Sequence, residues 1–297
     1  MPRNCVGIFL QGQINDKAQM NKTQNMIGII QGRLLPKYNG QYQAHPVGYW
    51  KEEFPMVAKE GLDCIEFILD YNDFEKNPLL TDYGVEEILQ TSEQTKVEVR
   101  TICADYFMEA PLHSENENVV QQSLKVLRKL ISSSSKLGIT DIVIPCVDQS
   151  SLAEKPAINR FVKALRPFLD GLESQGINLS LETDLAPQCF LELLDEFDSD
   201  RITVNYDIGN SVSLGYNLIE ELDAYGDKIT DIHIKDRVLG GGSVTLGEGD
   251  ADFDLFFDKL KGFNYKGAFI MQAFRDDEGV MIFKKQLEFI KPYIGLM

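Results

Sequence analysis

The chain has 297 residues, of which 43% are hydrophobic and 25% charged, and this composition excludes an intrinsically disordered protein. Its 29 Lys and Arg residues stand against 46 Asp and Glu residues, and the net charge of -17 argues against nucleic acid or an anionic membrane as a partner. Because no apolar run approaches the roughly 20 residues of a membrane span and the N-terminal apolar stretch is short for a signal peptide, we expect a cytoplasmic protein.

From Met26 onward, short β-rich apolar runs alternate with longer segments of helical period. The predicted strands cover residues 27–31, 63–69, 97–103, 141–146, 177–183, 202–207, 229–235 and 267–273. Eight strands over about 270 residues give a repeat of roughly 34 residues, which is the size of one βα unit in a TIM barrel. The alternation therefore predicts the α/β class and a single (β/α)8 TIM barrel.

No Pro- or Ser-rich linker divides the chain, so residues 26–297 are predicted to form one barrel domain. Residues 1–25 form a short N-terminal extension, in which VGIFLQGQ echoes the IGIIQGR of the first strand. We expect a loosely held extension or an upstream start before Met26. The alternative is a functional arm or a strand that pairs with a sheet edge.

The active site of a TIM barrel lies at the carboxyl ends of its strands, and side-chain alternation along a strand indicates which residues point inward. In the fifth strand Leu179 and Leu181 suit the face that packs on the helices, so Glu182 is predicted to point inward. The same alternation points Asp207 of the sixth strand and His233 of the seventh inward. These three side chains should therefore meet at the mouth of the barrel.

Two carboxylates and one imidazole are ligands for Mn²⁺, Mg²⁺, Co²⁺ or Zn²⁺. We predict one divalent metal ion held by Glu182, Asp207 and His233, and Gln272 of the eighth strand could add an amide oxygen. The alternative is a hydrogen-bonded polar cluster without a metal. His233 is the one histidine of three that falls in a predicted strand, which favours the metal.

Basic side chains near the same strand ends could bind a carboxylate or a phosphate, because arginine suits bidentate contacts with such groups. They are Arg33, Lys235, Arg237 and Arg275. The alternative is salt bridging at the barrel rim. The Gly-rich loop at 240–253 follows the seventh strand, where barrel phosphate sites often lie, and a flexible loop around a substrate is expected there.

Seven segments together resemble the sugar isomerase and epimerase group of the xylose isomerase-like TIM barrels. They are IGIIQGRLLP, DCIEFILD, LSLETDL, NYDIGNS, IHIKDR, LGEGDADF and FIMQAFR, which span about residues 27–276. The resemblance implies a single divalent metal held by Glu182, Asp207, His233 and a residue of the eighth strand. It also implies a small-molecule sugar or sugar phosphate as substrate, and it is compatible with a homo-oligomer.

The chain departs from this family at two positions. Where well-understood epimerases have a glutamate that forms an acid/base pair with the glutamate of the fifth strand, this chain has Gln272, whose amide cannot exchange a proton at neutral pH. Where many members have histidine, it has Asn210, which we assign to substrate binding with the basic residues above. A second acid/base group is expected among Glu66, Asp105, Asp184 and Asp236, and of these we favour Glu66 or Asp236 as catalytic.

These residues predict a metal-dependent sugar isomerase or epimerase in which Glu182 removes a proton to form an enediolate. If no second acid/base is in place, one base could return the proton to a neighbouring carbon, which suits isomerisation. The alternatives are a dehydratase or lyase that uses the same enolate, and a sugar-binding barrel without turnover. The related apurinic endonucleases are disfavoured, because those enzymes have histidines at the ends of the third and fourth strands. This chain has Asp105 after the third strand and Cys146 at the end of the fourth.

Overall fold

A computed structural model of the protein describes residues 25–297, in which eight parallel strands close into a barrel. The strands are β1 (Ile27–Ile30), β2 (Cys64–Ile68), β3 (Glu98–Cys103), β4 (Asp141–Cys146), β5 (Asn178–Thr183), β6 (Ile202–Asp207), β7 (Ile229–Ile234) and β8 (Phe269–Met271). Each strand pairs with its neighbours in sequence, and β1 pairs with β8 to close the barrel, with Ile29 opposite Met271. The predicted single barrel is confirmed, and no strand end differs from its predicted position by more than two residues.

Helices follow the strands and surround the barrel. The α-helices are α1 (Glu53–Lys59), α2 (Asp82–Thr95), α3 (Tyr106–Glu109), α4 (Glu117–Leu137), α5 (Lys155–Leu165), α6 (Leu169–Gln175), α7 (Pro187–Asp195), α8 (Ile208–Leu214), α9 (Leu218–Tyr225), α10 (Phe253–Leu260) and α11 (Val280–Ile294). Short 3-10 helices lie at Trp50–Glu52, Phe74–Lys76, Pro78–Leu80, Asp148–Ser150, Arg166–Phe168, Gly226–Lys228 and Lys261–Phe263. None of the helices in the described part of the chain is long and apolar enough to cross a lipid bilayer.

Local sequence explains where these helices begin and end, as α4 illustrates. Asn116 caps its first turn, where the side-chain oxygen accepts a hydrogen bond of 3.0 Å from the Asn118 amide. Gly138 ends the helix in the left-handed conformation, with φ 74°. Glycine adopts this conformation with little steric strain because it has no Cβ. Between them Leu127 and Leu130 are fully buried, and they belong to the apolar core between helices and barrel.

The inside of the barrel is divided into an apolar and a polar part. A small apolar cluster includes Ile30, Cys64, Ile68 and Ile270, and it extends across the barrel to Cys103 of β3 and Val143 of β4. Buried polar side chains fill much of the remaining interior, and those on β4 to β7 are Asp141, Ser180, Glu182, Thr203, Asn205, Asp207, Asp231 and His233. Glu66 of β2 and Thr101 of β3 are buried as well, so β4 to β7 carry most but not all of the buried polar side chains.

Two further features concern segments outside the barrel wall. Asp236–Arg237 and Ser243–Val244 pair as a two-stranded antiparallel ribbon after β7, so the Gly-rich loop that we expected to be flexible has regular structure at its base. Asn25 Nδ2 donates hydrogen bonds of 3.0 Å to the carbonyl oxygens of Tyr265 and Gly267 beside the start of β8. Apart from Asn25, the predicted N-terminal extension lies outside the described residues, and its boundary stays a prediction.

Candidate active site

Three side chains meet at the carboxyl ends of neighbouring strands, as the alternation predicted. Glu182 lies on β5, Asp207 ends β6 and His233 lies on β7, and one ligand atom of each falls within 4.8 Å of the others. His233 Nδ1 lies 3.9 Å from Glu182 Oε2 and 3.9 Å from Asp207 Oδ2. All three side chains are buried. The cluster combines two carboxylates and an imidazole, which is a donor set suited to a divalent cation.

The opposite nitrogen of His233 is held by a buried acid. His233 Nε2 lies 2.8 Å from Oε1 of Glu66 on β2, and Glu66 Oε2 accepts a 2.8 Å hydrogen bond from Thr101. A carboxylate behind a histidine ring is the usual way to fix a metal-binding imidazole. Asp231 lies beside this pair, and burial together with the charge of Glu66 raises the pKa of Asp231 well above its usual range. Burial and the neighbouring charge therefore favour the protonated form of Asp231.

The charges around His233 favour its protonated form in the absence of a cation. Burial lowers the pKa of His233, but the charge and hydrogen bond of Glu66 outweigh burial and raise the pKa to about 9. A divalent cation at Nδ1 would therefore replace a proton. The site fits a metal by its donors and by the orientation of the ring, and its occupation would be coupled to proton release.

Glu182 is held by two amides on the β6 side of the barrel. Asn205 Nδ2 lies 3.3 Å from Glu182 Oε2, and Asn210 Nδ2 donates to Glu182 Oε1. Burial raises the pKa of Glu182 to about 7, and the neighbouring charge of Asp207 contributes to the rise. A carboxylate with this pKa binds a proton more readily than an exposed one, which suits a general base at neutral pH.

Lys235 lies between Asp207 and Gln272. Its Nζ donates hydrogen bonds to Asp207 Oδ2 at 3.1 Å, to Asn210 Oδ1 at 3.2 Å and to Gln272 Oε1 at 3.0 Å. The Gln272 amide nitrogen donates to Gln43 Oε1 at 3.2 Å. The predicted fourth metal ligand is thus next to the cluster but engaged by Lys235, and the three-residue set is the better-supported part of the metal prediction.

A cavity of about 330 Å³ opens above the cluster. Five of the predicted site residues line it, namely Glu182, Asn210, Lys235, Arg237 and Gln272. Arg237 is fixed at the rim, because its Nε and Nη2 donate to the Gly241 carbonyl oxygen and its Nη1 donates to Asn210 Oδ1 at 2.9 Å. The cavity therefore has carboxylates at its base and two cations along one wall.

The two acids that the sequence favoured for the second proton transfer do not line this cavity. Glu66 is fully buried behind His233, because strand alternation gives the face of a residue but not its depth along the barrel. Asp236 is also fully buried and binds backbone amides, accepting 2.9 Å hydrogen bonds from Gly247 and Gly249 and one of 3.2 Å from Ala251. Asp236 thus organises the loop after β7. The inward face predicted for Glu66 is correct, but neither acid lines the cavity, and a proton-transfer role for either stays a prediction.

Two of the predicted substrate-binding arginines also lie behind the cavity wall. Arg33 Nη2 lies 3.2 Å from Gln43 Oε1 and 3.4 Å from the Gln272 carbonyl oxygen. Arg275 Nη1 donates to the Gly32 carbonyl oxygen at 2.5 Å, and its guanidinium lies 4.4 Å from the centre of the Tyr42 ring. Neither arginine lines the cavity, and both instead support the segment that connects β1 to α1.

Sequence reasoning missed Gln43. Its side chain reaches the cavity from the long β1 to α1 connection, where no periodic pattern marks it. Gln43 Nε2 donates to Asp105 Oδ2 at 3.1 Å, so it ties the β1 to α1 connection to the end of β3, between residues 62 positions apart in sequence. Asp105 follows β3 and also lines the cavity, although the sequence favoured other acids.

Residues 54–293 match the sequence profile of the xylose isomerase-like TIM barrel family, and the chain belongs to this family. L-ribulose-5-phosphate 3-epimerase UlaE of Escherichia coli O1:K1 / APEC is 26% identical over 245 residues, covering 79% of this chain and 86% of the relative. The enzyme of the same name from Salmonella paratyphi A has the same identity and coverage.

Solved structures of related fold agree with the family assignment. An L-ribulose 3-epimerase superposes with a TM-score of 0.72 and 17% identity, covering 92% of this chain and 95% of the other. A D-psicose 3-epimerase superposes with a TM-score of 0.70 and 17% identity, covering 91% and 99%. The predicted family and fold are confirmed, and the predicted class of sugar isomerase or epimerase agrees with these relatives.

Proposed function

We propose that this protein is a divalent-metal-dependent 3-epimerase of a small ketose phosphate. The observation that carries the proposal is the convergence of Glu182, Asp207 and His233 within 4.8 Å beneath a cavity whose wall holds two cations. The similarity to L-ribulose-5-phosphate 3-epimerases supports both the reaction and a phosphorylated substrate.

Glu182, Asp207 and His233 would hold the metal, and Gln272 would join them if Lys235 releases its side-chain oxygen. When bound, a divalent cation supplies Lewis-acid stabilisation of the negative charge that develops on the substrate oxygens as the proton leaves. The protein holds the imidazole ready for this role, because Glu66 fixes Nε2 and thereby directs Nδ1 toward the two carboxylates.

Glu182 is the proposed general base. Its carboxylate lines the cavity, and Asn205 and Asn210 hold both of its oxygens. It would take the proton from the carbon next to the ketone, whose acidity rises as the resulting enediolate is stabilised. Lys235 adds a positive charge at the same end of the cavity and favours the anionic intermediate electrostatically.

Arg237 is the proposed contact for the phosphate. Its guanidinium lies at the rim and is held by Gly241 and Asn210, so it is oriented before a substrate arrives. An oriented guanidinium matches the geometry of phosphate oxygens better than a flexible amine does. The negative end of a ketose phosphate would therefore lie at the rim near Arg237, and the ketone would lie near Glu182.

The proposal is tested with protein loaded with Mn²⁺ and incubated in D₂O with L-ribulose 5-phosphate, L-ribulose and D-psicose. We expect deuterium at the carbon next to the ketone and formation of the C3 epimer, with L-ribulose 5-phosphate reacting fastest. Loss of water from the product would identify a dehydratase instead, and binding without deuterium incorporation would identify a sugar-binding barrel. Absence of bound divalent metal after incubation with Mn²⁺ would overturn the metal-dependent reaction.

A further inference from the structure

Inversion of a carbon centre requires that a proton leave one face and another arrive on the opposite face, which a single fixed base cannot do. Gln272 cannot supply the second proton, because a neutral amide does not exchange protons near pH 7. We infer that Asp105 is the second proton-transfer group of this enzyme and acts on the substrate face opposite Glu182. This inference rests on the epimerase function proposed above.

Asp105 has access to the substrate space. It follows β3, directly precedes α3, and lines the same cavity as Glu182. Its side chain is half-buried, unlike Glu66 and Asp236, which are fully buried and do not line the cavity. Of the four acids that the sequence offered for this role, Asp105 and Asp184 line the cavity and therefore meet the first geometric requirement, which is access to the substrate.

The two proton-transfer groups are held from different sides of the cavity. Asn205 and Asn210 fix Glu182 from the β6 side. Gln43 fixes Asp105, and the Gln43 oxygen in turn accepts a hydrogen bond of 3.2 Å from Gln272 Nε2. Asp105 is thus linked through one amide side chain to Gln272, the position where the chain lacks an acid, and it lines the same cavity as Glu182.

The hydrogen bonds of Asp105 do not use all the lone pairs of its carboxyl group, so the group can still bind a transferable proton. Gln43 Nε2 donates to Oδ2 at 3.1 Å, and the Cys103 thiol donates to Oδ1 at 3.1 Å. Among the described residues each oxygen of this carboxyl accepts one hydrogen bond, so each keeps a second lone pair that can carry a proton, and Asp105 lines the cavity. Burial raises the pKa of Asp105 above its usual range, which is consistent with a group that carries a proton when the reaction begins.

The other acids of the cavity fit the role less well. Asp184 follows β5 on the same side as Glu182, and its Oδ1 accepts a 2.8 Å hydrogen bond from Ser151. Asp148 is exposed, so water competes for its carboxylate. Neither lies next to Gln272 through a bridging amide, as Asp105 does.

The proton balance of the step is as follows. The Glu182 carboxylate takes the proton from the carbon next to the ketone, and the electrons of the broken C–H bond form the double bond of the enediolate. The carboxylic acid of Asp105 then gives its proton to the other face of that carbon, which forms the new C–H bond and restores the ketone. Glu182 ends protonated and Asp105 ionised, and exchange with water resets both groups.

The test uses the full chain loaded with Mn²⁺ in D₂O, with L-ribulose 5-phosphate as the probe. In Asp105→Asn we expect epimer formation to fall at least about 100-fold, while deuterium still enters the unreacted substrate through Glu182. Asp105→Glu should restore part of the epimer formation, because it restores the acid. Asp258→Asn is the matched control, since Asp258 lies on α10 with its side chain 76% exposed. Thermal unfolding and Mn²⁺ binding verify that each variant is folded and loaded.

Three outcomes would overturn the inference. If Asp105→Asn forms the epimer as fast as the wild type, Asp105 transfers no proton. If it loses exchange and epimer formation to the same extent while folded and loaded, Asp105 serves binding or the first proton transfer. If the wild type neither exchanges nor epimerises L-ribulose 5-phosphate, L-ribulose or D-psicose, the proposed function fails and the inference fails with it. This outcome is seen in the wild type, whereas the first two are seen only in the variant.

Discussion

The imidazole of His233 and the carboxylate of Glu66 form a buried pair, with Nε2 and Oε1 2.8 Å apart behind the proposed metal site. Glu66→Ala removes the group that fixes the ring, and partners of this kind typically contribute 10-fold to 100-fold to metal affinity. We therefore expect the affinity for Mn²⁺, measured by titration calorimetry, to fall by about 10-fold or more in Glu66→Ala and by less in Glu66→Gln.

Thr101→Val is the control for this prediction. It removes the 2.8 Å hydrogen bond from Thr101 to the other Glu66 oxygen and leaves the contact with His233 intact. The control should therefore bind Mn²⁺ with nearly wild-type affinity. Equal affinity in Glu66→Ala and the wild type would show that Glu66 does not position His233.

The base role of Glu182 gives a second prediction. Glu182→Gln keeps an oxygen that can contact a cation but removes the carboxylate that accepts the substrate proton. A general base typically contributes about 10²-fold to 10⁴-fold to the rate, so deuterium incorporation into L-ribulose 5-phosphate should fall by that factor. Mn²⁺ binding is measured on the same sample to separate loss of the base from loss of the metal. Undiminished exchange would remove Glu182 from the role.

Strand alternation succeeded for Glu182, Asp207 and His233 because a period of two is a local property of each strand. It also gave the inward face of Glu66 correctly, but not its full burial against His233, which depends on how β1 and β2 align, with Glu66 opposite Ile30. A register irregularity between Ile65 and Glu66 further changes its position relative to β3. Depth in the barrel is thus set by strand pairing, which no single segment of sequence encodes.

The side chains that complete the cavity were harder to predict for a different reason. Gln43 comes from a connection without periodicity, and its partner Asp105 is 62 positions away. Such contacts depend on the whole barrel being closed. Asp236 was missed for a more local reason, because the three amides that it binds belong to an aperiodic loop that folds back after β7.

Arg237 should determine the preference for a phosphorylated substrate. A hydrogen bond to a charged group contributes about 1.5 to 3 kcal/mol, so Arg237→Met should raise KM for L-ribulose 5-phosphate by about 10-fold to 100-fold. KM for L-ribulose should change little, because that sugar has no phosphate. Arg275→Lys serves as the comparison, since Arg275 lies outside the cavity, and its ratio of the two KM values should equal that of the wild type. If the ratio of the two KM values changes in Arg275→Lys but not in Arg237→Met, the phosphate does not bind at Arg237.

Asp236 should affect stability more than chemistry. Its carboxylate accepts three backbone hydrogen bonds from the loop, and Asp236→Asn replaces one acceptor oxygen with a donor that opposes them. Leaving buried amides without an acceptor costs about 1 to 3 kcal/mol, which corresponds to a fall in Tm of several degrees. Deuterium exchange into the substrate should persist at a temperature where the variant is folded. A variant of wild-type Tm that has lost exchange would return Asp236 to the proton-transfer role.

His45 should make the protein less stable in acid. Burial lowers the pKa of His45 to about 3, whereas an unfolded histidine has a pKa near 6.5. Below pH 6.5 the unfolded state therefore binds a proton that the native state does not, and stability falls as the pH decreases toward 3. The linkage predicts that His45 alone lowers the free energy of unfolding by about 2 kcal/mol between pH 7 and pH 5.

His45→Asn tests this linkage, because asparagine does not titrate and its amide can replace the 3.1 Å contact between His45 Nδ1 and Gln31 Oε1. The variant loses ring packing against Phe67, so its stability at pH 7 should be lower than that of the wild type. Its stability should nevertheless fall less between pH 7 and pH 5, as measured by urea unfolding at each pH. His113, whose pKa is lowered to about 4 by burial, accounts for part of the remaining slope, and His113→Asn should reduce that part. An unchanged slope in His45→Asn would mean that His45 binds protons equally in the native and the unfolded state.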